Sequence, residues 1–192
     1  MIAASRFIET SDNYVAWLAA RLPAVTATEV AKAATPAGFR EAVQNRRNPQ
    51  PVTDNAYMKF GRDNEGWIAG WVKAEFGIMP NHWLIAAADN PLHLATPDGL
   101  SLDHMRIGEI KTGGTEPKSP PAQHRRQVQW QLRCTDAESC IYAFMLRQEV
   151  HGIFVPAWME PKTWVIERDE KEIALLERTA ELLLENEGQV AA

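Results

Sequence analysis

The sequence predicts an α/β fold, a mixed central sheet flanked by helices, and three observations predict it. Segments near both ends and in the middle of the chain carry apolar residues at helical spacing. Between them lie short apolar runs bounded by strong turn signals. The composition, 45% hydrophobic and 23% charged over 192 residues, is that of a globular chain, which excludes intrinsic disorder and fibrous coiled coils. No internal repeat, low-complexity tract or linker divides it, so one domain over residues 1–192 is expected.

The elements follow in order. Asp12 to Leu22 reads as a helix through Tyr14, Trp17, Leu18 and Leu22. Thr26-Ala27-Thr28-Glu29 has the form of a capping box opening a short helix, Glu29 to Ala34. Asn45 to Pro51 is polar and proline-bearing, a loop. A long helix is expected from about Ala56 to Phe76, with Tyr57, Phe60, Trp67, Ile68, Trp71, Val72 and Phe76 as its apolar stripe. His82 to Ala88 and Leu92 to Thr96 read as strands bounded by Asp89-Asn90-Pro91 and Pro97-Asp98-Gly99. Met105 to Lys111 alternates as a strand, Thr112 to Pro121 is a Gly- and Pro-rich loop, and Ala122 to Cys134 is a helix. Cys140 to Leu146 and Thr163 to Ile166 are strands. Asp169 caps a last helix, Glu170 to about Asn186, with Ile173, Leu175, Leu176, Leu182 and Leu183 on its apolar side.

The formal net charge is −5, but it is unevenly spread. The excess of acid lies from Glu167 onward, whereas Arg106 to Arg133 holds six basic residues against Glu109 and Glu116, a local surface that suits phosphates. Met1 to Ala20 mixes Arg6, Glu9 and Asp12 among apolar residues, so no signal peptide is expected. The longest apolar run, Trp83 to Ala88, is far short of the ~20 residues a membrane helix needs, so no membrane is expected as a partner. Cys134 and Cys140 lack metal or redox spacing and are expected reduced, in a cytoplasm. The five histidines show no zinc-ligand spacing, and the glycine-bearing stretch at Gly113 lacks the second glycine of a P-loop.

Chemistry concentrates in Thr96-Pro97-Asp98-Gly99-Leu100 and Gly108-Glu109-Ile110-Lys111. Period two points Glu109 and Lys111 the same way, and a hairpin can bring Asp98 beside them. Two carboxylates are the usual protein contribution to a hard divalent cation, and a neighbouring ammonium can orient water or steady a phosphorane. An isolated E-x-K is most often a cross-strand ion pair; the preceding Pro-Asp-Gly shifts the balance. Glu65 borders the stripe of the long helix, either sharing a cation with Asp98 and Glu109 or pairing with Arg62. Gln123, Gln127 and Gln131 form a row whose amides can hold a water, on a helix where Arg125, Arg126 and Arg133 could meet a DNA backbone.

In this order the motifs resemble the PD-(D/E)XK nuclease superfamily, specifically its lambda-type phage exonuclease, or YqaJ-like viral recombinase, branch. Gly61-Arg62-Asp63-Asn64-Glu65 resembles the helix glutamate, Thr96 to Leu100 the S-P-D-G-L segment, Glu109-Ile110-Lys111 the E-x-K, and Gln127-Val128-Gln129 the Q-V-Q helix. Arg21-Leu22 with Thr26 to Val30, and Val165 to Lys171, are similar to the family's N-terminal and closing segments. His124 stands where the family has tyrosine, and Thr112-Gly113 where Cys-Pro often follows the lysine. The resemblance implies a restriction-endonuclease-like core and a two-metal, Mg²⁺-dependent exonuclease, with Mn²⁺ as a substitute ion, digesting one strand of duplex DNA from the 5′ end. It implies Glu65, Asp98 and Glu109 as metal ligands with the Ile110 carbonyl, Lys111 as activator of water and Gln127 as its positioner. Arg21, Thr28 and Thr96 would form a 5′-phosphate pocket. Double-stranded DNA ends, a single-strand annealing protein and further copies of the chain, a trimer by family analogy, are the implied partners in phage-type recombination within a bacterial host. Alternatives on the same residues are a structure-specific endonuclease and a non-catalytic DNA-binding recombination module.

Overall fold

The computed structural model describes residues 1–49 and 53–188. After a 3₁₀ turn at Ala4–Arg6 come β1 (Phe7–Thr10), α1 (Tyr14–Arg21), β2 (Val25–Thr26), α2 (Ala27–Ala33), α3 (Pro36–Arg47) and α4 (Ala56–Phe76). The middle of the chain gives β3 (Ile78–Pro80), β4 (Trp83–Ala86), β5 (His93–Ala95), β6 (Gly99–Ser101) and β7 (Arg106–Gly113). Then follow α5 (Ala122–Thr135), β8 (Ser139–Val150), β9 (Ile153–Pro156), β10 (Lys162–Glu167) and α6 (Glu170–Gly188).

The described strands form two sheets. The larger runs β10-β8-β7-β6-β3, with β9 added to β8; the smaller runs β1-β4-β5-β2. β7 and β8 pair in parallel over eight positions, from Arg106↔Ser139 to Gly113↔Leu146, and α5 supplies the crossover that parallel neighbours require. Thr96-Pro97-Asp98 carries the chain out of β5 in the smaller sheet into β6 of the larger. The mixed sheet with helices on its flanks is the expected class.

α5 sits at the centre. Every residue from Val128 to Thr135 is buried, because one side packs on the β7–β8 strands through Val128 and Leu132 while Trp130 and Cys134 pack among α2, α3 and α6. α4 covers the other flank, placing Ile68 and Val72 against Ile78, Ile141, Ala143 and Met145.

Several expectations change. Asn45 to Arg47 is not loop but the end of α3; of the expected loop, Gln50 and Pro51 lie outside the described residues. The Thr35-Pro36 pair starts α3, with the Thr35 hydroxyl accepting from Gly38 N–H at 3.1 Å and Pro36 at the first turn. Thr26 takes the N-cap position of α2 without a capping hydrogen bond from its side chain. Glu29 is instead gripped by Arg46 at 2.5 and 2.7 Å, a two-pronged pair that outcompetes the box. In α4, Tyr57 and Trp67 are exposed, and Ala69 joins the buried face. Leu175 and Leu182 of α6 face outward while Ile173, Leu176 and Leu183 are buried. Asp169 does cap α6, its Oδ1 accepting from Lys171 and Glu172 N–H groups. Arg133 is buried between Asp89 and Glu177, and so does not offer itself to a DNA backbone. Cys134 and Cys140 are free and buried.

Candidate functional site

A cleft of about 290 Å³ lies where the two sheets meet α1, α2, α4 and α5. Glu65, Asp98, Glu109, Lys111, Gln127 and Gln131 line it together with Arg21, Thr28 and Thr96. Residues scattered over more than a hundred positions thus share one hollow. Arg125 and Arg126 lie outside this lining, and Arg126 faces Glu172 on α6 at 3.8 Å. The sequence reading assigned no site role to Ser11, Trp17, Asn81, Leu84 or His82, which also line the cleft. Asn81 had a local signal, a turn residue after Pro80. It clamps the crossover by donating to the Pro97 carbonyl at 2.9 Å and accepting none of the catalytic chemistry itself, while its own N–H bonds the Asp98 carbonyl at 3.0 Å. Ser11 carries no signal at all.

Asp98 and Glu109 are neighbours because β6 and β7 pair with Gly99 opposite Gly108. The close approach to Ile78 excludes a side chain at Gly99 unless something shifts, and crowds one at Gly108. A Cβ on Gly99 would stand 2.6 Å from Ile78 Cγ2, and one on Gly108 3.3 Å from the same atom. Asp98 therefore opens β6 rather than closing the preceding strand, and its Oδ2 accepts from Ile110 N–H at 2.6 Å. Ile110 turns its side chain into the core under α4.

Glu109 is fully buried, yet both of its oxygens are engaged. Oε1 accepts from Gln127 Nε2 at 2.7 Å and from Lys111 Nζ; Oε2 accepts from Gln131 Nε2 at 2.6 Å. The row on α5 is thus split by depth: Gln123 is exposed, Gln127 half-buried and Gln131 buried. His124, in the position of the family's tyrosine, shares a 2.6 Å hydrogen bond with the Tyr142 hydroxyl.

Electrostatics mark the cleft as one that favours added positive charge near its carboxylates. Burial, then the Glu109 carboxylate, push Asp98 well above the usual carboxylate range, with Glu65 adding to the rise. For Lys111, burial opposes the charge most strongly, but Glu109 and Asp98 together outweigh it and the ammonium is held above its ordinary pKa. Also on the lining, Arg21 lies over the Trp17 ring at 3.9 Å, its pKa lowered by burial and partly restored by Glu29. Three buried polar atoms on this lining, Trp17 Nε1, Thr96 Oγ1 and Gln131 Oε1, have no hydrogen-bond partner among the described residues. Buried groups of that kind cost stability unless something completes them.

A divalent cation fits the donor set. Carboxylate and amide oxygens from Asp98, Glu109 and Gln131 are hard ligands, and one carboxylate pair with waters is what Mg²⁺ ordinarily takes from a protein. Glu65 is exposed on the α4 wall and makes no ion pair or hydrogen bond among the described residues; Arg62, its alternative partner, holds Asp54 at 2.6 Å. Among the described residues no three His, Cys, Asp or Glu side chains are already gathered as a ligand group.

Solved structures share the overall fold. The chain is similar to the alkaline exonuclease LHK-Exo of Laribacter hongkongensis, with 27% identity, a TM-score of 0.73 and coverage of 91% of this chain and 93% of that one. The chain has the PD-(D/E)XK fold of the phage-type exonucleases. The same neighbour in complex with dAMP matches at 28% identity and a TM-score of 0.71, over 91% of this chain and 93% of that one. A phage-related exonuclease from Haemophilus somnus 129PT shares the exonuclease fold at 13% identity and a TM-score of 0.67, covering 88% of this chain and 95% of its own. No family model matches the sequence, and no curated protein matches it. No helix among the described residues is long and apolar enough to cross a membrane.

Proposed function

We propose that the chain is a Mg²⁺-dependent exonuclease that digests one strand of linear duplex DNA from the 5′ end, in phage-type recombination. The observation that carries this reading is one cleft lined by both kinds of group. Asp98 lies against Glu109 with Glu65 acting on it, and Arg21, Trp17 Nε1 and the Thr96 hydroxyl line the same hollow, on the exonuclease fold. A phosphodiester has both an anionic body and a need for cations at its reacting oxygens, and such a cleft serves both.

Asp98, Glu109 and Glu65, with the Ile110 carbonyl, would hold the ions. Two divalent ions so held would lower the barrier to in-line attack by neutralising charge on the attacking and leaving oxygens. Glu109 is aimed by hydrogen bonds from Gln127, Gln131 and Lys111. Lys111, held charged, supplies a fixed positive charge that orients the nucleophilic water and steadies the phosphorane. Gln127, half-buried beside it, can hold that water through its amide oxygen while donating to Glu109. Arg21, Thr28 and Thr96 would take the terminal 5′ phosphate, where a guanidinium and hydroxyl donors suit a dianion. The dAMP bound by LHK-Exo is a nucleoside monophosphate, the chemical form of an exonuclease product.

A nuclease assay on linear and covalently closed circular duplexes, with Mg²⁺ and with chelator, decides it. Linear DNA is expected to release mononucleotides and leave single strands with Mg²⁺ only, and circular DNA to survive. Cutting of the circle would replace the exonuclease by the endonuclease reading, and binding without any cleavage would leave a non-catalytic module.

A further inference from the structure

Beyond the cleft, the β8–β9 hairpin carries a cation in an aromatic cage. The Arg147 guanidinium carbon lies 4.2 Å from the Tyr57 ring centroid, 5.1 Å from that of Phe154 and 5.9 Å from that of Phe60. Tyr57 and Phe154 are themselves 5.3 Å apart, so α4 and β9 close on the arginine from two sides. One guanidinium nitrogen also lies where a Cβ on Gly114 would come within 3.3 Å, on the segment that follows β7.

Arg147 is half-buried, yet it forms no hydrogen bond or ion pair among the described residues. Among the other arginines at this depth, Arg21 on the cleft lining likewise has only a ring contact among the described residues, whereas others are engaged by oxygens. Arg6 donates to the Ala86 carbonyl, Arg133 to Asp89, and Arg168 to the Leu132 carbonyl. A guanidinium stacked on rings keeps its five N–H donors along the ring edge, where they can meet an anion. Partial desolvation without a partner is costly, whereas the stack reduces the entropy lost when a partner arrives.

Two rulers place the cage relative to the cleft. Glu65 to Tyr57 is eight residues of α4, about 12 Å at 1.5 Å per residue. Lys111 pairs with Phe144 across the β7–β8 ladder, and Arg147 lies three residues further along, about 10 Å at 3.3 Å per residue, with its side chain on the α4 face of the sheet rather than the α5 face that Phe144 and Lys111 share. Duplex DNA advances 3.4 Å per step, so 10–12 Å corresponds to about three steps.

Resting on the nuclease reading of the cleft, we propose that the Arg147 cage of Tyr57, Phe60 and Phe154 is a second DNA contact, binding a backbone phosphate about three steps from the scissile bond. It carries no sequence information, and it would hold the duplex in register as the end is consumed.

The test measures affinity of a 5′-phosphorylated duplex by fluorescence anisotropy, with Ca²⁺ in place of Mg²⁺ to prevent cleavage. Arg147→Met, which keeps the packed stem, is expected to weaken binding about five- to tenfold and to reduce the slope of log affinity against log salt by about 1. A single neutral methylphosphonate, moved step by step along the duplex, is expected to cost wild type a similar factor at one position two to four steps inside the end. At that position it should cost Arg147→Met nothing further. Arg147→Lys retains the charge and is expected to keep the salt slope. An unchanged slope in Arg147→Met, or methylphosphonate penalties that add to the mutation at every position, overturns the proposal. The wild-type scan remains decisive if Arg147→Met does not fold, because wild type with no sensitive position two to four steps inside also overturns it. Because binding is read without turnover, absence of Mg²⁺-dependent digestion would sink the nuclease reading while leaving the phosphate contact measured on its own.

Discussion

Glu109 is the residue on which the cleft turns. It is a fully buried carboxylate accepting from three side chains, and it is also the neighbour that raises Asp98. Glu109→Gln keeps the shape but removes the charge, so digestion of linear duplex with Mg²⁺ is expected to fall by at least about 10²–10³-fold, with the fold retained by circular dichroism. Residual activity within about tenfold of wild type would remove Glu109 from the chemistry. Elsewhere on the lining, Arg21→Ala is expected to abolish the preference for a 5′-phosphorylated over a 5′-hydroxyl end, measured by competing the two duplexes in one digestion. The E-x-K spacing made Glu109 and Lys111 legible in the sequence, since period two alone aligns them. The depth of Gln131 was not legible, because a glutamine on a polar-looking row is buried only when something such as Glu109 needs its amide.

At the scale of elements, local chemistry was legible where the signal was short-range. α4, α5, β7 and the Asp169 cap of α6 were all visible in periodicity or capping. Misreadings came where a distant residue intervened. The capping box of α2 was lost to Arg46, a residue on α3, and the polar stretch after Asn45 was helix because Thr35-Pro36 had already begun one. The corner between those helices is tight: a Cβ on Gly38 would stand 1.9 Å from the Lys32 carbonyl oxygen. Gly38→Ala is therefore expected to destabilise the protein by about 1–3 kcal/mol despite the better helix propensity of alanine, a loss read as a lower Tm. A Tm equal to or above wild type would show that α2 and α3 can part there without cost.

For the molecule as a whole, pH links the core to the fold. His93 is 3% exposed and its ring packs tilted against Trp130 at 4.8 Å; burial first, then Arg133, lowers its pKa. The unfolded chain takes up a proton near pH 6.5 that the folded chain refuses, so His93 removes stability as pH falls from about 6.5 toward its lowered folded value, by up to about 1.4 kcal/mol per pH unit. Asp98 acts with opposite sign, since its raised pKa lets the folded state bind a proton first and gain stability as pH falls. The His93 contribution is thus the difference in slope between wild type and His93→Gln, measured by denaturant unfolding from pH 7.5 to 5.5, and equal slopes would refute it. The sequence by itself determined the class of fold, the long helices and the acidic and basic groups of the E-x-K strand, because each depends on spacing along a few neighbouring residues. Only the tertiary structure decided that Arg21 and Thr96 share a cleft with Glu109, that Arg125 and Arg126 do not, that Arg133 is spent on Asp89 and Glu177, and that Tyr57 leaves the apolar stripe to cage Arg147. Burial and partnership between residues far apart in the chain are set by how the sheets and helices pack, and no local pattern of residues encodes that.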